Sequence, residues 1–299
     1  MLGRTGDAAH SNRLNGYIQG TQGRMREAQV AIATGKRAQT FSEIGSDTGI
    51  LLQAREGQKR ADAFTASNTT TVERLRTMDG ALSNIVELAD RMRTLLVQRT
   101  DPSIGKSLPL GTEVDTMLEE IASQLNVRLG DRYLFAGSRT DTPPVALPAT
   151  IAGPADLDPA QIYKGDDIRL SARAAEHVEV PYGVLAKDVF EIMNVLAAAK
   201  EAHIADDKAG LLAASDALGE AFSSLVDLRG ELGARTARIE AITDNHRANS
   251  AYLAETVSRI EDTDLPSAIA QMAKDQMAIE AAFLTISRLN RLSLADYLR

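Results

Sequence analysis

Apolar residues recur at steps of three and four along most of the 299 positions. Leu75, Met78, Leu82, Ile85, Ala89, Met92 and Leu96 alternate 3-4-3-4, the spacing that keeps one seam of a helix against a neighbour. Extended back to Phe64, that helix would run about 50 Å at 1.5 Å per residue, and Asp101–Pro102 ends it. Val114, Leu118, Ile121, Leu125 and Leu129 predict the next helix, with Thr112 as its cap, Asp115 three residues on and Gly130 as its stop. A second long run places Leu218, Phe222, Leu225, Leu232, Ile239, Leu253, Val257 and Ile260 on one heptad register. Arg229, Thr236, Thr243, His246 and Ser250 fill the seam positions between them, so this helix should pack against several neighbours. Asp264 then caps a last helix with Pro266 in its first turn, carrying the narrow stripe Leu265, Ile269, Met272, Ile279, Phe283, Ile286 and Leu289.

The first segment is weaker. Leu14, Ile18, Met25, Ala28 and Ile32 form a sparse stripe interrupted by Gly16, Gly20 and Gly23, each costing about 1 kcal/mol relative to Ala inside a helix. Such a helix holds only against a partner. Residues 34–49, TGKRAQTFSEIGSDTG, read as a loop or broken helix. The pattern changes again at DRYLFAGSRTDTPP (131–144), where Tyr133 and Phe135 crowd together ahead of Gly137 and Pro143–Pro144. Six of the nine prolines fall between 143 and 181. Alternation at 167–170 and 177–180 predicts short strands. Helix resumes near Lys187, and Tyr133 and Phe135 are placed as anchors of a β-rich insert on the helices.

Composition sharpens this picture. Aromatics are only 4% of the chain, against 44% hydrophobic and 25% charged, which suits long helices joined along thin seams better than a compact α/β core. There are no cysteines, so disulfides, thiolate metal sites and a cysteine nucleophile are excluded. The net charge of −8 gives no polyanion-binding signature, although the first 60 residues carry nine Lys/Arg against five Asp/Glu. No run approaches the ~20 apolar residues of a spanning helix. Residues 1–30 hold charges throughout and lack an apolar core, so export without a Sec signal peptide is the expectation.

A search for chemistry finds none. His10, His177, His203 and His246 show no metal-ligand spacing. Asp166–Asp167 and Asp206–Asp207 sit in turn contexts, and no phosphate-loop or nucleophile-elbow string occurs. No enzyme activity, catalytic residue, metal or cofactor is expected. Basic residues on the helical faces lack interleaved aromatics, which argues against nucleic-acid binding.

Several stretches resemble the bacterial flagellin superfamily: RLRTMDGALSNIVELADRMRTLLVQ (74–98), ATGKR (33–37) with Ser46–Asp47, and RIEDTD (259–264) before the final helix. Thr48–Gly49 stand where that family tends to have Asp–Pro. RYLFAGSRTDTPPV (132–145), YKGDD (163–167) and Val189–Phe190 resemble its hook-associated, junction-forming branch. The resemblance implies a mainly α fold with a small β-rich insert, a long antiparallel bundle or coiled coil made by the N- and C-terminal halves. It divides the chain into an assembly helix and loop (1–45), two bundle halves (46–130 and 187–262), the insert (131–186) and a C-terminal assembly helix (263–299). It implies an extracellular structural subunit joining hook to filament, exported by the flagellar type III apparatus. Its partners would be copies of itself, a neighbouring hook-associated protein, flagellin, and an export chaperone on the C-terminal helix, with no membrane insertion. A flagellin forming the filament itself is the alternative within the family, and a secreted coiled-coil effector or phage tail component is the alternative outside it. Assembly is assigned to the two terminal stripes, from Leu14 to Ile32 and from Leu265 to Leu289.

Overall fold

The structure, a computed structural model, describes residues 2–99 and 108–297, with side-chain surroundings given from residue 12 to residue 288. In chain order the first elements are α1 (Leu2–Thr34), α2 (Phe41–Ile44), α3 (Thr48–Arg99) and α4 (Leu110–Leu125). A tight hairpin follows, β1 (Arg128–Leu129) with β2 (Arg132–Tyr133), then α5 (Pro159–Ile162) and a second hairpin, β3 (Ser171–Ala175) with β4 (Val178–Pro181). The chain returns to helix with α6 (Phe190–Ile204), α7 (Lys208–Glu261) and α8 (Leu265–Tyr297). It is mainly α with a small β-rich insert, as the periodicity and the family resemblance implied.

Two compact units are present: Met1–Arg60 with Asn249–Arg299, and Ala61–Ala248. In the second unit the heptad residues of α3 form the core. Leu75, Met78, Leu82, Ile85, Met92 and Leu96 are all buried, together with Val114, Leu118 and Ile121 of α4. From α7 come Leu218, Leu225, Leu232 and Ile239, fully buried, and Phe222, half-buried. The polar seam positions each find a partner. Arg229 pairs with Asp79 (2.9 Å), while the Thr236 and Thr243 hydroxyls donate to Leu232 O and Ile239 O. His246 stacks on Phe64 with ring centroids 5.0 Å apart. The two threonines close on their own helix, while Arg229 and His246 tie α7 to α3, so the polar groups of this seam are satisfied without apolar contacts.

Several boundaries differ from those predicted. α3 begins at Thr48 rather than Phe64, because the Thr48 hydroxyl donates to Phe41 O and Gly45 O and starts the helix directly out of the 3-10 turn Gly45–Asp47. α4 begins at Leu110 behind Pro109, so Thr112 lies inside the first turn and is no cap; Asp115 pairs instead with Lys200 (2.6 Å). α4 stops at Leu125, since Asn126 turns its side chain to both backbone groups of Val145. Gly130, at φ 61°, makes the turn of the β1–β2 hairpin and ends no helix. The strand expected at 167–170 lies at 171–175, where alternating small residues (Ala172, Ala174) gave little apolar signal. The helix expected to resume near Lys187 is interrupted at 205–207, between α6 and α7, where Asp206 adopts φ 53° and its carboxylate takes the buried Arg99 guanidinium at 2.7 Å. Asp264 does cap α8, accepting from Ser267 N at 3.2 Å.

Candidate functional site

Two places gather the segments that carried the family resemblance, one in each unit. In the first unit α1 and α8 pack on each other. Just beyond α1, Gly35 at φ 71° turns the chain so that Lys36 lies beside Asp262 in an antiparallel bridge. Arg37 N donates to Glu261 O (2.7 Å) and Thr263 N to Gly35 O (2.9 Å). The Lys36 ammonium reaches Asp262 at 2.6 Å and Glu261 at 3.3 Å, and Arg55 also pairs with Glu261. ATGKR and RIEDTD are therefore two sides of one clasp. Glu261 is almost wholly buried there. Hydrogen bonds from Lys36 and Ser258 hold the Asp262 carboxyl below its usual range, and the hydrogen bonds to Asp262 and then Glu261 raise Lys36.

Along the α1–α8 contact the centre is polar. Thr21 is fully buried and donates to Tyr17 O, and Arg24 donates to Thr21 Oγ1 (3.0 Å) and to Asp275 Oδ1 (3.1 Å). Gln271 donates to the other oxygen of Asp275. Asp275 itself is 3% exposed, and the Arg24 hydrogen bond holds its carboxyl below the ordinary value. Apolar periodicity could not find this layer, because Thr, Arg and Asp do not enter an apolar stripe. Its only sequence signal was the lone acid in the weakly charged run 265–279.

The stripe assigned to assembly divides around that layer. Met272, Ile279 and Ile286 share the face of Asp275 by helical spacing and are half-buried, with Ala282 buried among them. Leu265, Ile269 and Phe283 lie about a quarter turn round the helix and are 43%, 51% and 53% exposed. On α1, Ile18 is buried and Leu14, Met25 and Ile32 are half-buried. Leu289 falls beyond the residues whose side chains are described. The later seam residues Leu253, Val257 and Ile260 are half-buried in this same unit. α8 thus keeps an exposed apolar row, and on α1 Tyr17 and Val30 are exposed as well.

In the second unit the two junction-like stretches lock together. Asp166 accepts from Ser138 N (2.8 Å), the Ser138 hydroxyl and Ile168 N (3.1 Å), which holds its carboxyl below the usual range. Gly137 has φ 70°, and a Cβ there would meet the Asp166 carboxylate at 2.2 Å, so glycine is required at this close approach. Tyr163 donates its hydroxyl to Asp166 O (2.7 Å), and burial followed by the nearby acids pushes its phenol up to about 12. Phe135 is fully buried and its carbonyl accepts from Ala186 N. Tyr133 is half-buried in β2 beneath the Arg128 guanidinium, 5.0 Å from the ring. The β3–β4 hairpin is fixed through a register shift between Arg173 and Ala175. There Ala174 O receives both Asn68 Nδ2 and His246 Nε2, each at 3.0 Å. Among the described residues no group of three His, Asp or Glu could hold a metal ion, and no helix is long and apolar enough to cross a membrane.

Paired terminal helices joined by a clasp, with a bundle carrying a hairpin insert, define a flagellin-type helical subunit. Residues 8–140 match the bacterial flagellin N-terminal helical region and residues 215–298 the bacterial flagellin C-terminal helical region. The chain belongs to the bacterial flagellin family. It is 20% identical to the flagellar hook-associated protein 3 of Escherichia coli K12, over 88% of this chain and 89% of that protein. It is 21% identical to a flagellin of Listeria monocytogenes, over 92% and 91%. Among solved structures, FlgL of Bacillus cereus shares the fold with a TM-score of 0.56 at 15% identity, covering 70% of this chain and 98% of that one. The flagellar hook-associated protein-3 of Legionella pneumophila does so at 0.54 and 14%, covering 71% and 98%.

Proposed function

We propose that this chain is a structural, non-enzymatic subunit of the bacterial flagellum, seated at the junction of hook and filament and assembled through its terminal helices. The observation that carries the assembly part is the exposed row Leu265, Ile269 and Phe283 beside a pair of helices that already bury their inner faces. Burying such apolar area against copies of the same segments is the main free-energy source available to it. A head-to-tail contact of that kind that does not close produces a helical lattice. Likeness to a hook-associated protein 3 along nearly the whole chain supports the junction position. So does the interlock of FAGS with YKGDD. On this reading the neighbours are copies of itself, another hook-associated protein and flagellin. An export chaperone covers α8 before secretion, and the mature subunit is extracellular.

Electron microscopy of isolated hook–basal bodies carrying a tagged chain tests this. Label is expected in a short zone at the distal end of the hook, and deletion should leave hooks without filaments. Label along the whole filament, or growth of long filaments by the purified chain alone on seeds, would favour the flagellin reading that the Listeria likeness also permits.

A further inference from the structure

Arg99, the last residue of α3, is charged, yet its side chain is only 5% exposed. Its Nε–H donates to Nδ1 of His203 (2.8 Å), and its Nη2 donates to Asp206 Oδ1 (2.7 Å). His203 lies half-buried in the last turn of α6, and Asp206 lies in the turn before α7. That turn is constrained from both sides. Asp206 holds φ 53°, the one left-handed residue other than glycine among the described residues, a conformation that persists where its surroundings hold it. Asp207 N donates to Ala202 O (2.8 Å), and the Asp207 carboxylate accepts from Ala209 N (2.9 Å). A Cβ on Gly210 would meet Ala202 Cβ at 2.9 Å, so the two helices touch at this corner.

A guanidinium carries N–H donors and no acceptor, and it keeps its charge in proteins. Its Nε–H is met here by the lone pair of Nδ1, so the folded His203 ring is neutral with its proton on Nε2. A second proton has one place to go, which is Nδ1. There it would face the Arg99 N–H, set one cation against another and take an acceptor from a buried charge. Among the described residues, Arg99 from α3 and Asp206 from the turn are the charges that act on the ring. α4, which also packs on α6, adds none. Burial first and Arg99 second lower the proton affinity of His203, and Asp206 raises it without reversing the balance.

We infer that Arg99, His203 and Asp206 form an acid-released latch: with His203 neutral they fasten the α6–α7 corner to the end of α3, and protonation of the ring opens that corner while the rest of the unit stays folded. The folded ring titrates below its ordinary value, so the latch is fully closed above about pH 6.5 and is lost as pH falls through the folded value. Asp206 depends on it most directly, since the same guanidinium that needs His203 also holds this left-handed residue. Such opening is local, because a turn held by a few polar contacts exchanges before a buried seam such as that around Leu82 and Ile85. The latch uses contacts within one unit and stands whatever position the subunit takes in the flagellum.

The chain has four histidines, so proton–nitrogen correlation spectra of the full-length protein can follow each ring separately. His203 should show the Nε2–H tautomer near neutral pH and titrate below the ordinary imidazole value. A ring with its proton on Nδ1, or one that titrates at or above that value, overturns the latch. Protection of the Ala205, Asp207 and Leu211 amides against hydrogen exchange is then compared at about pH 7.5 and about pH 5.5, either side of the ordinary value. In wild type it should fall several-fold at the lower pH, while the amides of Leu82 and Ile85 hold. His203→Gln offers Arg99 an acceptor that gains no proton, so its corner should stay protected at both pH values. An equal loss in His203→Gln and wild type, or Leu82 and Ile85 opening in step with the corner, would sink the proposal. Wild type alone decides the ring state, so a variant that failed to fold would still leave the latch open to refutation.

Discussion

At the scale of single residues, the insert hangs on a few side chains whose chemistry is legible once their partners are known. Phe135 is wholly enclosed and its carbonyl is also used, so Phe135→Ala should cost about 3–5 kcal/mol and lower the denaturant midpoint of the second unit with little change in slope. Asp166 makes a different prediction. Its folded carboxyl titrates below the ordinary value, so its contribution is present above about pH 4 and is lost as pH falls through the folded value. Wild type should therefore lose thermal stability on acidification more steeply than Asp166→Asn, which lacks the charge at every pH. A parallel pH profile for the two proteins would contradict the role given to Ser138 and Ile168. Tyr163 works at the other end of the scale. Its phenol is raised, so stability that depends on its proton holds up to about pH 10 and is lost as pH climbs toward 12.

At the scale of elements, the two halves of the C-terminal stripe should respond differently to charge. Phe283 is 53% exposed, so Phe283→Asp should leave helicity and protease protection of the soluble chain near wild type while abolishing self-assembly in sedimentation. Ile279 shares the face of Asp275 and is half-buried, so Ile279→Asp places a second carboxylate beside the first and should disturb the α1–α8 contact before assembly is reached. Equal behaviour of the two variants would mean that the stripe is one surface after all. The long helices were readable because heptad apolar positions in α3 and the first part of α7 do become the core. Other features were unreadable for physical reasons. Helix starts at Thr48 and Leu110 are set by hydroxyl and turn contacts that leave no apolar trace, and β3 is built on alanines. The polar layer of Thr21, Arg24 and Asp275 sits where a stripe search counts gaps. The motifs ATGKR and RIEDTD, and likewise FAGS and YKGDD, were visible as strings, but only folding shows that each pair is one contact.

At the scale of the whole molecule, the two units differ in how much holds them together. The second has an extended cluster of buried leucines, isoleucines and methionines, whereas on α1 and α8 only Ile18 and Ala282 are apolar and fully buried among the described residues. Opening free energy scales with buried apolar contact, so thinly packed elements exchange and are cleaved first. In the soluble chain, amides of α1 and α8 should exchange with solvent well ahead of those in α4 and α6, and limited proteolysis should remove roughly residues 1–45 and 265–299 while sparing the middle. After assembly the order should reverse for the termini, because copies then cover Leu265, Ile269 and Phe283 and the ordering entropy is offset by burial. Hydrogen exchange on the same preparation before and after assembly measures both states. Termini that are already protected to the level of the middle in a verified monomer would show that the α1–α8 contact and the clasp suffice alone. Neighbouring copies would then add position to the terminal segments, and no further order.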